Sequence, residues 1–570
     1  MAGDGQVVQI QQSWSRVMLA LLIGVPAMGY VFYYMRKHKP KPDSVDGQDS
    51  KRKTEKTDSI EKTEIPAEPS PETPLQKALK LKEDGNVMYK AKKFSEAIRC
   101  YSEAIELCPS SEKEFLLSAL YQNRAAAHEA MDDLEAVISN CTEAIKIKPT
   151  YLKALLRRYK ACEKLGNLRM AMEDVTACCI LQQFSSTEEL QNADRILKSL
   201  GLEEAEKYMK VKPAVIPSSE FIKHYFNSFS NDPISKYLTS SENGSQDEGE
   251  ATGLAAAKKA MRNADYENVI PLCSNEINSV KQHNSEPNDA YYEALLLRGT
   301  IHLLSSQDVL ARADLTEIVE AKSVDPKVAV SALLKRAGLF MQDVQMARAH
   351  EDYQTAIGID PGNSDIYHQM AQMLLLDDKT EEALEQFEKA YTLNPKATIV
   401  LTQKLYAEYK LAMKNRDKIK ADSVKQSLDE VVSKNPKVTE GYLLLAQIYN
   451  ENDEFQKAED VINRAIKADP RNATILVHKG LLRLQWKADV DGSIEEMERA
   501  IKLDPKCEFA YETLASVEVQ RGNLLKAIPL FEKALPLTKC LREAAHIISL
   551  KAAAQAQYTV SSSLGVSFQL

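Results

Sequence analysis

Five polar side chains are the residues of this chain best suited to chemistry: Lys82, Asn86, Asn123, Lys153 and Arg157. They fall at matching places in three successive segments with helical periodicity. A helix turns about 100° per residue, so places 2, 5, 6 and 9 of each segment share an arc of about 100°. The apolar places 4, 8 and 11 share an arc of about 60° on roughly the opposite side. Lys82 and Asn86 come from the first segment, Asn123 from the second, and Lys153 and Arg157 from the third. Together they offer two carboxamides, two ammonium groups and one guanidinium to a single hollow. Lys and Arg pair with carboxylates, and Asn bonds both carboxylate and peptide backbone. Such a set suits a peptide C-terminus with a neighbouring acid. Hydrogen bonds to charged groups contribute about 1.5–3 kcal/mol each, so several give roughly micromolar affinity for a short tail.

Catalytic patterns are absent from the sequence. There is no P-loop, G-x-G-x-x-G, H-E-x-x-H or G-x-S-x-G, and the nine His are scattered. The expectation is a non-enzyme without cofactor or metal. A net charge of −9 gives no reason to expect a nucleic-acid partner. The nine Cys show no paired spacing, which reads as reduced thiols facing the cytosol.

The elements that must position the five residues are repeats. Residues 78–109 (ALKLKEDGNVMYKAKKFSEAIRCYSEAIELCP) place Gly85 in a first helix, Ala97, Tyr101 and Ala104 in a second, and Pro109 at the end. Small residues let two antiparallel helices approach, an aromatic fills the gap, and Pro ends the unit. The pattern returns with Ala349, Tyr353, Ala356 and Pro361, with Ala383, Phe387, Ala390 and Pro395, and with Ala458, Ile462, Ala465 and Pro470. It resembles the tetratricopeptide repeat (TPR). About eleven units are expected, with degenerate ones around 253–280, before Pro326 and before Pro436. The fold class is therefore all-α: a TPR superhelical solenoid with one N-terminal transmembrane helix.

That helix is expected at 17–35, which carries no charge and would span about 28 Å. Arg36, Lys37, Lys39 and Lys41 follow it, so the positive-inside bias puts the C-terminal bulk in the cytosol. The predicted domains are a short segment across the membrane (1–16), the signal-anchor (17–35), a disordered charged linker (36–74), a three-repeat module (75–210) capped by a helix near Thr187–Lys210, a linker with an acidic loop (211–252), and a C-terminal block (253–570). The linker's aromatic half (FIKHYFNSFSNDPI) is expected to pack on the repeats.

The segments KEDGN (82–86), QNRAAA (122–127) and KALLRR (153–158) resemble the dicarboxylate clamp of TPR co-chaperones. The resemblance implies that Lys82, Asn86, Asn123, Lys153 and Arg157 hold the Glu-Glu-Val-Asp tail of the cytosolic seventy- and ninety-kilodalton heat-shock chaperones. With anchor, tether and second block, the chain resembles the large TPR receptors of the mitochondrial outer-membrane protein translocase. That implies import receptors in the outer membrane, single-pass with the TPR domain in the cytosol, that receive hydrophobic precursors such as inner-membrane carriers and pass them to other translocase subunits. A chaperone-docking TPR protein of the endoplasmic reticulum is the alternative. No precursor-binding residues are assigned: Met341, Met346, Met370 and Met373 cluster in units six and seven, but core filling is the simpler reading.

Overall fold

A computed structural model describes residues 73–239, 252–283 and 286–565. The expected membrane span at 17–35, the charged linker before Thr73 and most of the acidic loop lie outside the described residues. No helix among the described residues is long and apolar enough to cross a membrane.

The described chain is helical and falls into two compact units: one reaches Leu200 and resumes at Ala552, and the other runs Gly201–Lys551. In the first, three antiparallel pairs form: α1 (Pro74–Lys90) with α2 (Phe94–Leu107), α3 (Ser118–Glu129) with α4 (Leu134–Ile147), and α5 (Leu152–Lys164) with α6 (Leu168–Leu181). Helix α7 (Thr187–Met209) follows. Thr73 and Gln76 close a capping box on α1, with Pro74 as its first residue, so the orphan N–H groups of the first turn are met.

Eight more pairs stack in the second unit, after the short linker helices α8 (Ser219–Asn227) and α9 (Ser235–Thr239). They are α10 (Gly253–Arg262) with α11 (Val269–Gln282), α12 (Asp289–Leu304) with α13 (Asp308–Glu320), α14 (Pro326–Gln342) with α15 (Met346–Ile359), and α16 (Ser364–Leu376) with α17 (Thr380–Leu393). Then come α18 (Thr398–Lys414) with α19 (Lys418–Lys434), α20 (Thr439–Glu451) with α21 (Phe455–Ala468), α22 (Ala473–Lys487) with α23 (Val490–Leu503), and α24 (Glu508–Gln520) with α25 (Leu524–Ala534). The sequence-degenerate units are thus complete helix pairs. The last helix, α26 (Leu541–Leu564), ends the described chain.

Each intra-repeat turn turns on one left-handed residue: Lys92, Asp132, Gly166, Ala264, Ser306, Val344, Asp378, Arg416, Asp453, Ala488 and Gly522 all have positive φ. In every repeat but the tenth, the next N–H reaches back five residues to a carbonyl, as from Lys93 to Met88 and from Gln345 to Phe340. This is the Schellman closure, which satisfies carbonyls left open at the end of the first helix.

The small-residue places are buried as the repeat pattern requires: Ala97, Ala104, Ala349, Ala356, Ala383, Ala390, Ala458 and Ala465 are fully covered. In the first unit, Leu155, Tyr159, Cys178 and Ile196 share a core with Ala552, Ala556 and Val560, so the end of the chain supplies part of that core. In the second, Ala544 and Ile548 pack with Ala205. The aromatic linker packs into the second unit through Ile222 and Phe226. Asp232 on the linker forms a fully buried ion pair with Lys335, and Asp365 accepts from the backbone N–H groups of Ser230 (3.0 Å) and Asn231 (2.7 Å).

Candidate peptide-binding site

In the first unit, α1, α3 and α5 carry the five polar residues. Gly85 admits a close approach: a Cβ there would lie 2.6 Å from Tyr101 Cε1. Tyr101, only 1% exposed, therefore stands against α1, and its hydroxyl donates to Asn86 Oδ1 at 2.9 Å. Asn123 Nδ2 donates to the same oxygen at 3.1 Å. Asn86 and Asn123 are thus brought together directly. Lys82 lies one turn before Asn86 on α1, and Lys153 one turn before Arg157 on α5. No ion pair joins Lys82 or Lys153 to another described residue.

Arg157 is held differently. Its Nε donates to Glu129 Oε2 at 2.6 Å, at the end of α3, and its Nη1 is buried without a partner among the described residues. The neighbouring Arg158 is not free for a ligand. It grips Asp174 with two bonds, of 2.8 and 2.7 Å, and reaches Thr142 at 2.9 Å. Two adjacent arginines therefore differ in how they are held: Arg158 has its guanidinium bonded to both Asp174 and Thr142, whereas Arg157 keeps one nitrogen without a partner among the described residues.

The second unit holds a cavity of about 310 Å³. Phe221, Tyr225 and Phe229 of the linker line it together with Met341, Gln403 and His478, among others. Gln403 Oε1 accepts from Gln372 Nε2 (2.9 Å) and bonds His368 Nε2 (2.8 Å), and Gln403 Nε2 is buried without a partner among the described residues. His478 Nε2 likewise has no partner among the described residues, and burial pushes the ring down to about 4, so it is neutral at pH 7. Glu508 also lines the cavity, and burial beside Glu512 and Glu543 raises its carboxyl. An apolar wall with a few unpaired polar atoms suits an amphipathic peptide segment. Of the four methionines considered from sequence, Met370 and Met373 are core, Met341 is core at the cavity edge, and Met346 packs against the same cluster.

The tetratricopeptide repeat family model matches residues 364–396 and 439–472. The mitochondrial import receptor subunit TOM70 of Homo sapiens is 39% identical over 574 residues, covering 97% of this chain and 93% of the relative. The chain belongs to the TOM70 family. The Rattus norvegicus member is 41% identical over 501 residues, covering 86% of this chain and 81% of the relative. Yeast Tom70 has a crystal structure that aligns at 22% identity and a TM-score of 0.48, covering 85% of this chain and 97% of that one.

Within this TOM70-family chain, sequence reasoning missed a recurring staple. Arg124, Arg158, Arg298 and Arg336 each bond the residue sixteen places on: Asn140, Asp174, Asp314 and Asp352. Each also reaches a hydroxyl of the preceding repeat: Ser102, Thr142, Ser274 and Thr316. One guanidinium thus ties its own helix pair together and joins it to the pair before. The fixed spacing of sixteen between Arg and an Asp or Asn was the available signal.

Proposed function

We propose that the chain is an import receptor of the mitochondrial outer membrane that docks cytosolic heat-shock chaperones and receives hydrophobic precursors. The observation that carries the docking half is the polar set on α1, α3 and α5, with Asn86 and Asn123 bonded to each other, Lys82 and Lys153 in no ion pair with another described residue, and Arg157 paired with Glu129 through Nε alone. It agrees with the name borne by relatives across nearly the whole chain. In this reading Lys82 and Asn86 hold the tail's terminal carboxylate, and Lys153 and Arg157 take its acidic side chain, while Asn123 bonds the backbone between them. The cavity of the second unit is the proposed place for precursor segments, since it joins an apolar wall to unpaired polar atoms. A Met-Glu-Glu-Val-Asp peptide should bind the full chain with roughly micromolar affinity. Lys82→Ala and Arg157→Ala should each weaken it at least about tenfold, since each removes a charge-assisted bond. Equal affinity in both variants, measured by calorimetric titration, contradicts the clamp.

A further inference from the structure

We propose that Tyr101 is a specificity-determining residue of the clamp: its hydroxyl locks the Asn86 carboxamide so that only N–H faces the ligand, which selects a carboxylate over an amide at the peptide terminus. This rests on the clamp reading and adds a residue that never touches the ligand.

A carbonyl oxygen has two lone pairs. Those of Asn86 Oδ1 are both taken, by Tyr101 Oη at 2.9 Å and Asn123 Nδ2 at 3.1 Å. The amide group of Asn86 is what remains. Turning the carboxamide over would place its NH₂ against Tyr101, and the hydroxyl proton of a residue 1% exposed would lose its acceptor. A buried donor left unmatched is strongly disfavoured, so the flip is blocked. Burial also pushes the Tyr101 phenol up to about 12, which keeps it a donor at neutral pH. Lys82, one turn earlier on α1, has donors only. A ligand group placed between them meets N–H from both sides. Ionised carboxylate oxygens satisfy that arrangement, whereas a terminal amide presents an NH₂ of its own.

Gly85 makes the arrangement possible. A Cβ at that place would lie 2.6 Å from Tyr101 Cε1, so the ring could not stay where it now brings its hydroxyl to Asn86. The glycine, the tyrosine and the asparagine thus act as one device, with Asn123 closing it from the second repeat.

The test compares Met-Glu-Glu-Val-Asp as free acid and as C-terminal amide, titrated into the full chain. Wild type should prefer the acid at least about tenfold, the weight of a charge-assisted bond. Tyr101→Phe should cut that preference at least about threefold while its helical circular dichroism stays unchanged. In an Asn86→Ala background the same change should leave the ratio where it was, because there is no carboxamide left to hold. Asn86→Asp provides a second arm, independent of how Tyr101→Phe folds: an oxygen now faces the ligand, and the amide peptide should become the better one. If Tyr101→Phe keeps the wild-type ratio, or Asn86→Asp still prefers the acid, the inference is overturned. If wild type binds neither peptide, the clamp reading falls and takes this one with it.

Discussion

At the scale of single residues, the proposed clamp separates binding from stability by one position. Arg157 bonds exposed Glu129, whereas Arg158 is tied to an Asp174 that is almost wholly buried. Removing one partner of a buried pair strands the other charge and costs about 3–5 kcal/mol. Arg158→Ala should therefore lower the urea midpoint clearly, while Arg157→Ala should leave it nearly unchanged and act on peptide affinity. The five positions of the proposed clamp could be named from the sequence because a helical face can be read from spacing alone. Tyr101, Glu129 and Asp174 were not, because their roles depend on which helix stands beside which. Arg158 was visible inside KALLRR, but nothing local distinguishes it from Arg157.

At the scale of elements, the helix pairs were legible from small residues at fixed places, since Ala or Gly there is what lets two helices touch. Repeats before Pro326 and Pro436 read as degenerate because their packing uses other residues: Val424, Leu428 and Val432 fill α19's buried face. The intra-repeat turns were illegible for a different reason. Glycine is the residue expected at a left-handed position, yet nine of these turns use another residue, Val344 among them at φ 61°. A β-branched residue there carries strain of roughly 1–2 kcal/mol, part of which glycine's greater freedom in the unfolded chain offsets. Val344→Gly, at an exposed site, should raise stability by up to about 1 kcal/mol in denaturant unfolding. Gly85→Ala should do the reverse, by about 1–3 kcal/mol, because its methyl meets the Tyr101 ring.

At the scale of the whole molecule, two long-range arrangements go beyond what periodicity can show. Ala552, Ala556 and Val560 pack with Leu155 and Ile196, although the repeat pattern gives no place to the end of the chain. The linker is anchored by the buried Asp232–Lys335 pair. Asp232→Ala strands Lys335 and should destabilise the second unit by about 3–5 kcal/mol, with faster tryptic cleavage in the linker. The same unit carries a pH dependence. Burial, opposed by the Lys539 ammonium, pushes Glu543 from its ordinary 4.5 up to about 7. Between these values the folded chain holds a proton that the unfolded chain has released, so this contribution to stability falls as pH rises from 4.5 to 7 and is level above. Glu543→Gln should flatten that slope and exceed wild type at pH 7.5 by on the order of 1–3 kcal/mol, measured by urea titrations across the range. The central claim joins the clamp to import, and one measurement reaches it most directly: uptake of a chaperone-bound carrier precursor by mitochondria whose only copy of this protein is Arg157→Ala. The account predicts uptake reduced several-fold, with the variant present at normal level in the membrane. Uptake equal to wild type would contradict it.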